Sequence, residues 1–232
     1  MARVSKSKFE SLFFAWIKAS AGTPAYSAGM ESNPAAALPL IIPEAEAATK
    51  RLPGDLAIWF FILAELLVFG VFFLAYAFAR VGDPALFNAG QATLSRSTGA
   101  LNTVLLICGS WFVALAVQAA KCNRTALTSR HLALGMLCGA GFLVVKGREF
   151  AIKLGEGISL STDTFYMFYL SLTYFHFLHV VLGMVILAVL WFNARRGAYH
   201  AVDCHGLETG AAYWHMVDLV WIVLFPLVYV MR

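Results

Sequence analysis

The chain has 232 residues, of which 60% are hydrophobic and only 13% are charged, and its formal net charge is +4. This composition excludes an ordinary water-soluble domain, because too few polar residues remain to cover a core of that size. The small positive excess comes with neither a basic run interleaved with aromatic residues nor a glycine-rich phosphate loop. We therefore expect a protein of the lipid bilayer, with no nucleic-acid partner.

The first 50 residues differ in composition from the rest. SKFESLFFAWIKAS, residues 7–20, places apolar residues at helical spacing and predicts a short amphipathic helix on the membrane surface. A cleaved signal peptide is the alternative, but Glu10 and Lys18 interrupt the apolar run. We expect residues 1–50 to form a separate cytoplasmic segment, and residues 51–232 to form the membrane domain.

Five apolar segments follow, and each reaches the roughly 20 residues that a spanning helix needs. They cover about 55–79, 101–120, 131–153, 164–192 and 208–231. None alternates with the period of two that a membrane β-barrel requires. The sequence therefore predicts an all-α integral membrane bundle of five transmembrane helices.

The distribution of Lys and Arg predicts the orientation of the bundle. Six precede the first span, three lie in the second loop and two in the fourth, whereas the opposite side carries four. Because basic residues are retained in cytoplasmic loops, we expect a cytoplasmic N-terminus and a periplasmic C-terminus. Lys146, Arg148 and Glu149 fall near the end of the third span, where we expect their side chains to reach the headgroups or a protein interior.

Ionisable residues also occur in the middle of three spans. Glu65 is the only charge between residues 56 and 79, and His176, His179, His215 and Asp218 lie at a similar depth in the fourth and fifth spans. We call these five residues the polar belt. Such groups are tolerated inside a membrane where they face other helices and find partners. We predict bonds from Glu65 to a histidine or hydroxyl, and from Asp218 to a histidine or a tryptophan N–H.

The residues alone leave several roles open for the polar belt. It could join the helices, since polar side chains fix packing where lipid supplies no hydrophobic drive. It could handle protons, because a carboxylate in the middle of a membrane is expected to have a raised pKa and a histidine titrates close to neutrality. Binding of haem by His176 and His179 is a further alternative, although no Cys or Glu ligand set accompanies them. Transport would be favoured by paired repeats, and none is evident.

Five segments together resemble subunit III of the haem-copper oxidases, from about residue 54 to the C-terminus. They are WFFILAELLVFGVFFLAY, LNTVLLICGSWFVALA, KGREF, FYLSLTYFHFLHVVLGMV and HGLETGAAYWHMVDLVWIVLFPLVYV. Many members of that family have seven spans, whereas this chain starts at what would be the third. The short form is similar to the five-span E protein encoded beside nitric oxide reductase.

The resemblance implies a non-catalytic accessory subunit in the bacterial inner membrane. It would pack beside the catalytic subunit of a haem-copper oxidase or nitric oxide reductase, and haem and copper would reside only in that partner. Family members hold phospholipid in a cleft between the first two spans and the rest. Because those two spans are missing, the remaining wall is expected to face lipid or a partner directly.

The resemblance also identifies particular residues. Glu65 matches the family's membrane-buried carboxylate, and Glu149 matches an acidic residue near the end of its span, in a helix-end charge cluster. The cluster comprises Lys146, Arg148, Glu149 and Lys153, and the two signature helices carry His176, His179, Glu208, Tyr213, Trp214, His215, Asp218 and Trp221. We expect no catalytic, metal-binding or cofactor-binding residue. The alternative functions are an independent proton or small-solute pathway through Glu65 and a b-type cytochrome.

Overall fold

The structure is a computed structural model that describes residues 56–201 and 203–231. The predicted amphipathic helix and the tether behind it lie outside the described residues. The described chain forms six α-helices and a final π-helical turn. They are α1 (Leu56–Gly82), α2 (Pro84–Ala92), α3 (Arg96–Lys121), α4 (Thr125–Gly155), α5 (Thr164–Arg195), α6 (His205–Phe225) and the turn Pro226–Val230.

All five predicted spans are confirmed as helices long and apolar enough to cross a membrane. Each is longer than the predicted segment at one or both ends, and two of them begin with a side-chain cap. Asp163 caps α5 by accepting a hydrogen bond from the Tyr166 N–H at 2.7 Å, and Ser95 caps α3 through the Thr98 N–H at 3.3 Å. The short helix α2 was not predicted, since nine residues are too few to span.

The helices alternate in direction, so the bundle has two ends. The α3–α4 and α5–α6 loops lie at one end, which we call the basic end because it carries Lys121, Arg124, Arg195 and Arg196. The opposite end carries α2, the α4–α5 loop and the π-helical turn. The basic end is the one that the charge distribution places in the cytoplasm.

Helix α6 is the most buried of the spans, and α1 is the least buried. α6 packs against α3, α5 and α1, whereas among the described elements α1 is in close contact with α6, α5 and α2. Most apolar side chains of α1 consequently point outwards, as Phe60, Leu67 and Phe78 do. In a bilayer such side chains face lipid or another subunit. Their exposure at the surface of the bundle therefore carries no hydrophobic free-energy penalty.

The C-terminal turn fastens the opposite end of the bundle. Pro226 has no N–H to donate, and the chain continues beyond it as a π-helical turn that ends with the Met231 N–H on the Pro226 carbonyl at 2.9 Å. Arg80 of α1 donates to the Met231 carbonyl at 2.6 Å, and Gln91 of α2 donates to the Leu227 carbonyl at 3.2 Å. The turn thus holds α1 and α2 against α6.

Candidate functional site

The polar belt contains one direct bond between spans, which joins α1 to α5. Glu65 Oε2 lies 3.0 Å from His179 Nε2, and His179 Nδ1 lies 2.8 Å from the Phe175 carbonyl one turn earlier. The side chains of Glu65 and His179 are 19% and 11% exposed, so the pair reaches the surface of the bundle. Glu65 therefore bonds to a histidine, as predicted.

The geometry of His179 limits where the proton of this pair resides. A carbonyl oxygen can only accept, so Nδ1 carries a hydrogen. Nε2 must then either accept from a protonated Glu65 carboxyl or, as an imidazolium, donate to a Glu65 carboxylate. Both arrangements share a single proton between the two side chains. The pair is therefore overall neutral, which is the form that an apolar solvent tolerates.

His176 lies in a different environment, although it is only three residues from His179. It is fully buried, and neither ring nitrogen has a hydrogen-bond partner among the described residues. Its ring lies 5.2 Å from that of Trp221 and meets Phe142 edge-on at 5.8 Å. Trp221 in turn donates from Nε1 to Thr103 Oγ1 of α3 at 3.0 Å. His176 thus packs between α4 and α6, whereas His179 faces α1.

The bonding predicted for Asp218 is wrong. Asp218 is 8% exposed and faces Ser110 of α3, yet its Oδ1 and Ser110 Oγ both lack a partner among the described residues. His215 is half-buried and makes no hydrogen bond to Asp218 within that part of the chain. The rotation of α6 directs Asp218 at α3 and away from the histidines of α5. The polar belt is therefore several separate contacts and not one network.

Tyr213 and Trp214 pack closely between the spans. The Tyr213 hydroxyl donates to the His179 carbonyl at 3.3 Å. Trp214 is almost fully buried, in a slot formed by glycines of three helices. A Cβ on Gly139 would lie 2.7 Å from the Trp214 ring, and one on Gly183 would lie 3.0 Å from it. The indole is therefore a packing element, and its slot exists because these positions have no side chain.

Glu208 lies apart from the polar belt, at the basic end. It pairs with Lys121 at 2.7 Å, and the Cys204 thiol lies 3.7 Å from the same carboxylate oxygen. Burial, and next the nearby Glu208 carboxylate, raise the pKa of the Cys204 thiol. These contacts hold the N-terminal end of α6 against the C-terminal end of α3. The role of Glu208 here is therefore to join two helices.

A second polar site, which we call the Lys146 cluster, consists of Lys146, Glu149, Tyr169 and Tyr229. The Lys146 ammonium donates to Glu149 Oε1 at 3.2 Å, to the Tyr169 hydroxyl at 3.3 Å and to the Tyr229 hydroxyl at 2.5 Å. Both tyrosines donate to Glu149 Oε1 at 2.6 Å. Three N–H groups thus meet three acceptors, which completes the bonding of a charged ammonium.

This cluster separates the charges that the sequence grouped at the end of the third span. Lys146 takes the second of its two expected positions, the protein interior; it is fully buried, with the rings of Phe150 and Tyr169 each 4.9 Å from its ammonium. Lys153 pairs with Glu156 at 2.9 Å and not with Glu149. Arg148 is exposed and takes no part in the cluster. Helix rotation separates these charges, since residues 146 and 149 face inwards while residue 148 faces out.

The sequence did not single out Tyr169 or Tyr229 as members of this site. Both are apolar in most of their surface and lie within apolar runs, so nothing local distinguished them from packing residues. A signal was available in Lys146 itself. A lysine in the middle of a spanning helix needs partners on the facing helices, and tyrosine hydroxyls are the acceptors that those helices offer.

The described residues bring together no set of three His, Cys, Asp or Glu side chains that could hold a metal ion. A haem held by His176 and His179 does not fit the contacts either. Both nitrogens of His179 are engaged, and the His176 ring is enclosed by aromatic side chains. What the arrangement can do chemically is hold one proton at Glu65 and His179 and bind the spans together.

The comparisons with known proteins agree with this architecture. The family model for cytochrome c oxidase subunit III matches residues 48–232. Cytochrome c oxidase subunit 3 of Synechocystis sp. is 34% identical over 173 residues, which is 74% of this chain and 72% of that protein. The haem-copper oxidase subunit I+III of Aeropyrum pernix is 31% identical over 181 residues, 75% of this chain and 22% of that protein.

A more distant relative is cytochrome bo(3) ubiquinol oxidase subunit 3 of Pseudomonas putida, 24% identical over 76% of this chain and 84% of that protein. With five apolar helices, these matches agree with a multi-pass protein of a bacterial inner membrane. The family match covers every described helix, including those that carry the Glu65–His179 bond and the Lys146 cluster. The chain therefore belongs to the cytochrome c oxidase subunit III family.

Proposed function

We propose that this protein is a non-catalytic accessory subunit that packs against the catalytic subunit of a haem-copper oxidase. The Glu65–His179 bond carries the proposal. The bond attaches α1 to α5. Because the remaining surface of α1 is largely exposed and apolar, the bundle has a rigid apolar wall. The Aeropyrum pernix relative supports a catalytic subunit as the occupant, since its name joins subunits I and III in one protein.

Haem and copper belong, in this proposal, to the partner subunit, where they carry out the electron transfer. The residues of this chain act by packing. The Glu65–His179 bond and the Lys146 cluster hold α1, α4 and α5 in register, so that the partner meets a preformed surface. The consequence is greater stability of the catalytic subunit, in assembly or during turnover.

For the identity of the partner we propose a nitric oxide reductase or a cytochrome oxidase; the resemblance to the protein encoded beside nitric oxide reductase supports the former. A phospholipid would fill whatever part of the exposed wall the partner leaves uncovered. The two partners differ in their haem and copper content and in their polypeptides. Recovering the complex therefore separates them directly.

The test is affinity purification of the tagged protein from its own host in a mild detergent, followed by mass spectrometry and a visible haem spectrum. We expect a haem-copper catalytic subunit to come with the tagged protein. The Glu65→Gln variant should recover it as well as the unchanged protein, whereas Glu65→Leu should recover less. Reproducible recovery of haem-free protein alone would contradict the proposal.

One observation favours a second candidate, an independent proton pathway. The Glu65–His179 pair holds a single shared proton and is partly exposed at the bundle surface. Purified protein reconstituted alone into vesicles would then conduct protons under a pH gradient, and Glu65→Gln would abolish the flux. Vesicles that remain as tight as protein-free controls would exclude it. A purified protein without a Soret band would likewise exclude a b-type cytochrome.

A further inference from the structure

The two tyrosines of the Lys146 cluster share one carboxylate oxygen inside the bundle. The hydroxyls of Tyr169 and Tyr229 both donate to Glu149 Oε1 at 2.6 Å, a distance typical of hydrogen bonds to an ionised acceptor. Both tyrosine side chains are fully buried, and the centres of their rings lie 6.2 Å apart. Each phenol therefore has a base in contact with its hydroxyl and a second phenol beside its ring.

An apolar interior imposes a condition on the oxidation of a phenol. Loss of an electron alone would leave a positively charged ring in surroundings that stabilise charge poorly. If the hydroxyl proton moves to a base in the same step, the ring becomes a neutral phenoxyl radical. A buried hydroxyl cannot release its proton to bulk water, so the base must already accept a hydrogen bond from it. Glu149 meets this condition for both tyrosines.

Lys146 completes the site, because it balances the charge of the carboxylate. Its ammonium donates to Glu149 Oε1 and to the hydroxyls of Tyr169 and Tyr229. Since Lys146 and Glu149 carry opposite charges, the two rings lie beside a pair of zero net charge. Once a phenolic proton has moved to Glu149, the ammonium still donates to the phenoxyl oxygen. The cluster can therefore hold a radical and its proton without moving a side chain.

Two further oxidisable rings continue from the tyrosine pair in both directions. The Trp221 ring lies 6.4 Å from that of Tyr229, and the Tyr166 ring lies 6.4 Å from that of Tyr169. Of these four rings, Tyr166 is the one that is not fully buried. Trp221 and Tyr166 each bond to a threonine hydroxyl, which takes up a proton far less readily than a carboxylate does. An electron can thus leave by way of Tyr166, while the radical comes to rest at the pair beside Glu149.

We propose that Tyr169 and Tyr229 form a one-electron redox site, with Glu149 as its proton acceptor. The oxidant is an organic peroxyl radical, which takes one electron from a phenol and, with a proton from water, becomes a hydroperoxide. The phenolic O–H bond breaks, and its proton forms an O–H bond with Glu149 Oε1. The site thereby confines one oxidising equivalent to two tyrosines. It does not rest on the proposed accessory function, because it requires no particular partner subunit.

The first experiment generates a one-electron oxidant beside the purified full-length protein in detergent. Tris(bipyridyl)ruthenium(II) is illuminated with pentaamminechlorocobalt(III) as the electron acceptor, and the ruthenium(III) that forms stands in for the peroxyl radical. Samples are frozen after an interval in the dark and studied by electron paramagnetic resonance. We expect a persistent tyrosyl signal whose hyperfine splitting changes when ring-deuterated tyrosine is incorporated. No persistent signal, or one that deuteration leaves unchanged, would overturn the proposal.

The second experiment asks which tyrosines hold the radical. Tyr169→Phe combined with Tyr229→Phe should lose the persistent signal. Tyr213→Phe is the matched control, because Tyr213 is almost fully buried as well but donates to a backbone carbonyl, which is not a base. This control should keep the signal of the unchanged protein. An equal loss in Tyr213→Phe, or a signal that survives in the double variant, would refute the site.

The third experiment tests the proton acceptor while both tyrosines remain. Glu149→Gln combined with Lys146→Met removes the base and leaves no charge unpaired, so the persistent signal should be lost although the rings are unchanged. The unfolding transition of each variant separates a loss of the site from a loss of fold, and the two double variants remove different groups. A persistent signal in folded Glu149→Gln with Lys146→Met would show that the phenolic proton goes elsewhere and would overturn the role of Glu149.

Discussion

At the scale of single residues, two sites within the spans show how a charged group is tolerated in the membrane when it has a nearby partner. Glu65 shares a proton with His179, and Lys146 is surrounded by three oxygen acceptors. The two sites differ in what a substitution leaves behind. Replacing one member of the Glu65–His179 pair, which is neutral overall, removes one hydrogen bond. Replacing one member of the Lys146–Glu149 ion pair leaves an uncompensated charge.

The pair at Glu65 predicts different effects for two substitutions. In Glu65→Gln the amide N–H₂ donates to His179 Nε2, so the unfolding midpoint in detergent should stay close to that of the unchanged protein. In Glu65→Leu the imidazole nitrogen has no partner, and stability should fall by about 1 kcal/mol. An equal fall in both variants would show that the carboxyl is needed as an anion.

The Lys146 cluster predicts a larger effect. Lys146→Met leaves the Glu149 carboxylate buried without its cation and should cost about 3–5 kcal/mol in thermal or denaturant unfolding. Adding Glu149→Gln should restore much of that loss, because the double variant leaves no charge unpaired. Lys153→Met is the matched control in the same helix; its partner Glu156 is half exposed, so the expected cost is about 0–1 kcal/mol. Equal effects in the two lysine variants would contradict a charged cluster.

At the scale of helices, contact between spans depends on small residues opposite large ones. Trp214 of α6 enters a slot bounded by glycines of α3, α4 and α5. Because lipid provides no hydrophobic drive between spans, such close packing is what holds the helices at a fixed distance. The slot thus complements the polar contacts, which join particular side chains of facing spans.

Two glycines of α4 allow this packing to be tested against an internal control. A Cβ on Gly139 would lie 2.5 Å from Met184 Sδ and 2.7 Å from the Trp214 ring, whereas one on Gly147 meets nothing within 4 Å. Gly139→Ala should therefore destabilise the bundle by about 1–3 kcal/mol. Gly147→Ala should be neutral or stabilise it by up to about 1 kcal/mol through helix propensity. Unfolding midpoints that shift alike would show that the slot is not closely packed.

At the scale of the whole molecule, the orientation of the bundle stays a prediction from its charges, and cysteine labelling tests it. Cys122 is exposed in the α3–α4 loop at the basic end. A membrane-impermeant maleimide should label it in inverted inner-membrane vesicles and not in intact spheroplasts. Labelling of spheroplasts alone would place the basic end in the periplasm. Cys122→Ser should remove most of the signal.

The remaining signal in Cys122→Ser should depend on pH. The thiolate is the reactive form, and burial raises the pKa of the Cys204 thiol, so less thiolate is present at a given pH than in a free cysteine. Labelling of Cys204 should therefore be slow at neutral pH and should increase as the pH rises towards that pKa. Labelling that is already maximal at neutral pH would contradict a shielded thiol.

Fold class and span number were determined by the sequence itself. A run of apolar residues long enough to cross a bilayer must satisfy its backbone as a helix, and that requirement depends on local composition alone. The same argument predicted that Glu65 needs a partner, and only the histidines and hydroxyls of facing spans could supply one. Family membership also followed from short motifs within the spans, and the comparisons confirm it.

Only the tertiary structure decided which polar side chains meet. The direction of a side chain depends on how each helix is rotated about its axis, and that rotation follows from packing over its whole length, such as Trp214 against its glycines. This is why Asp218 faces α3 and lacks the predicted partner, and why Lys146 lies in the interior beside two tyrosines. Composition determines that a helix spans the bilayer, whereas interhelical packing determines what each of its faces contacts.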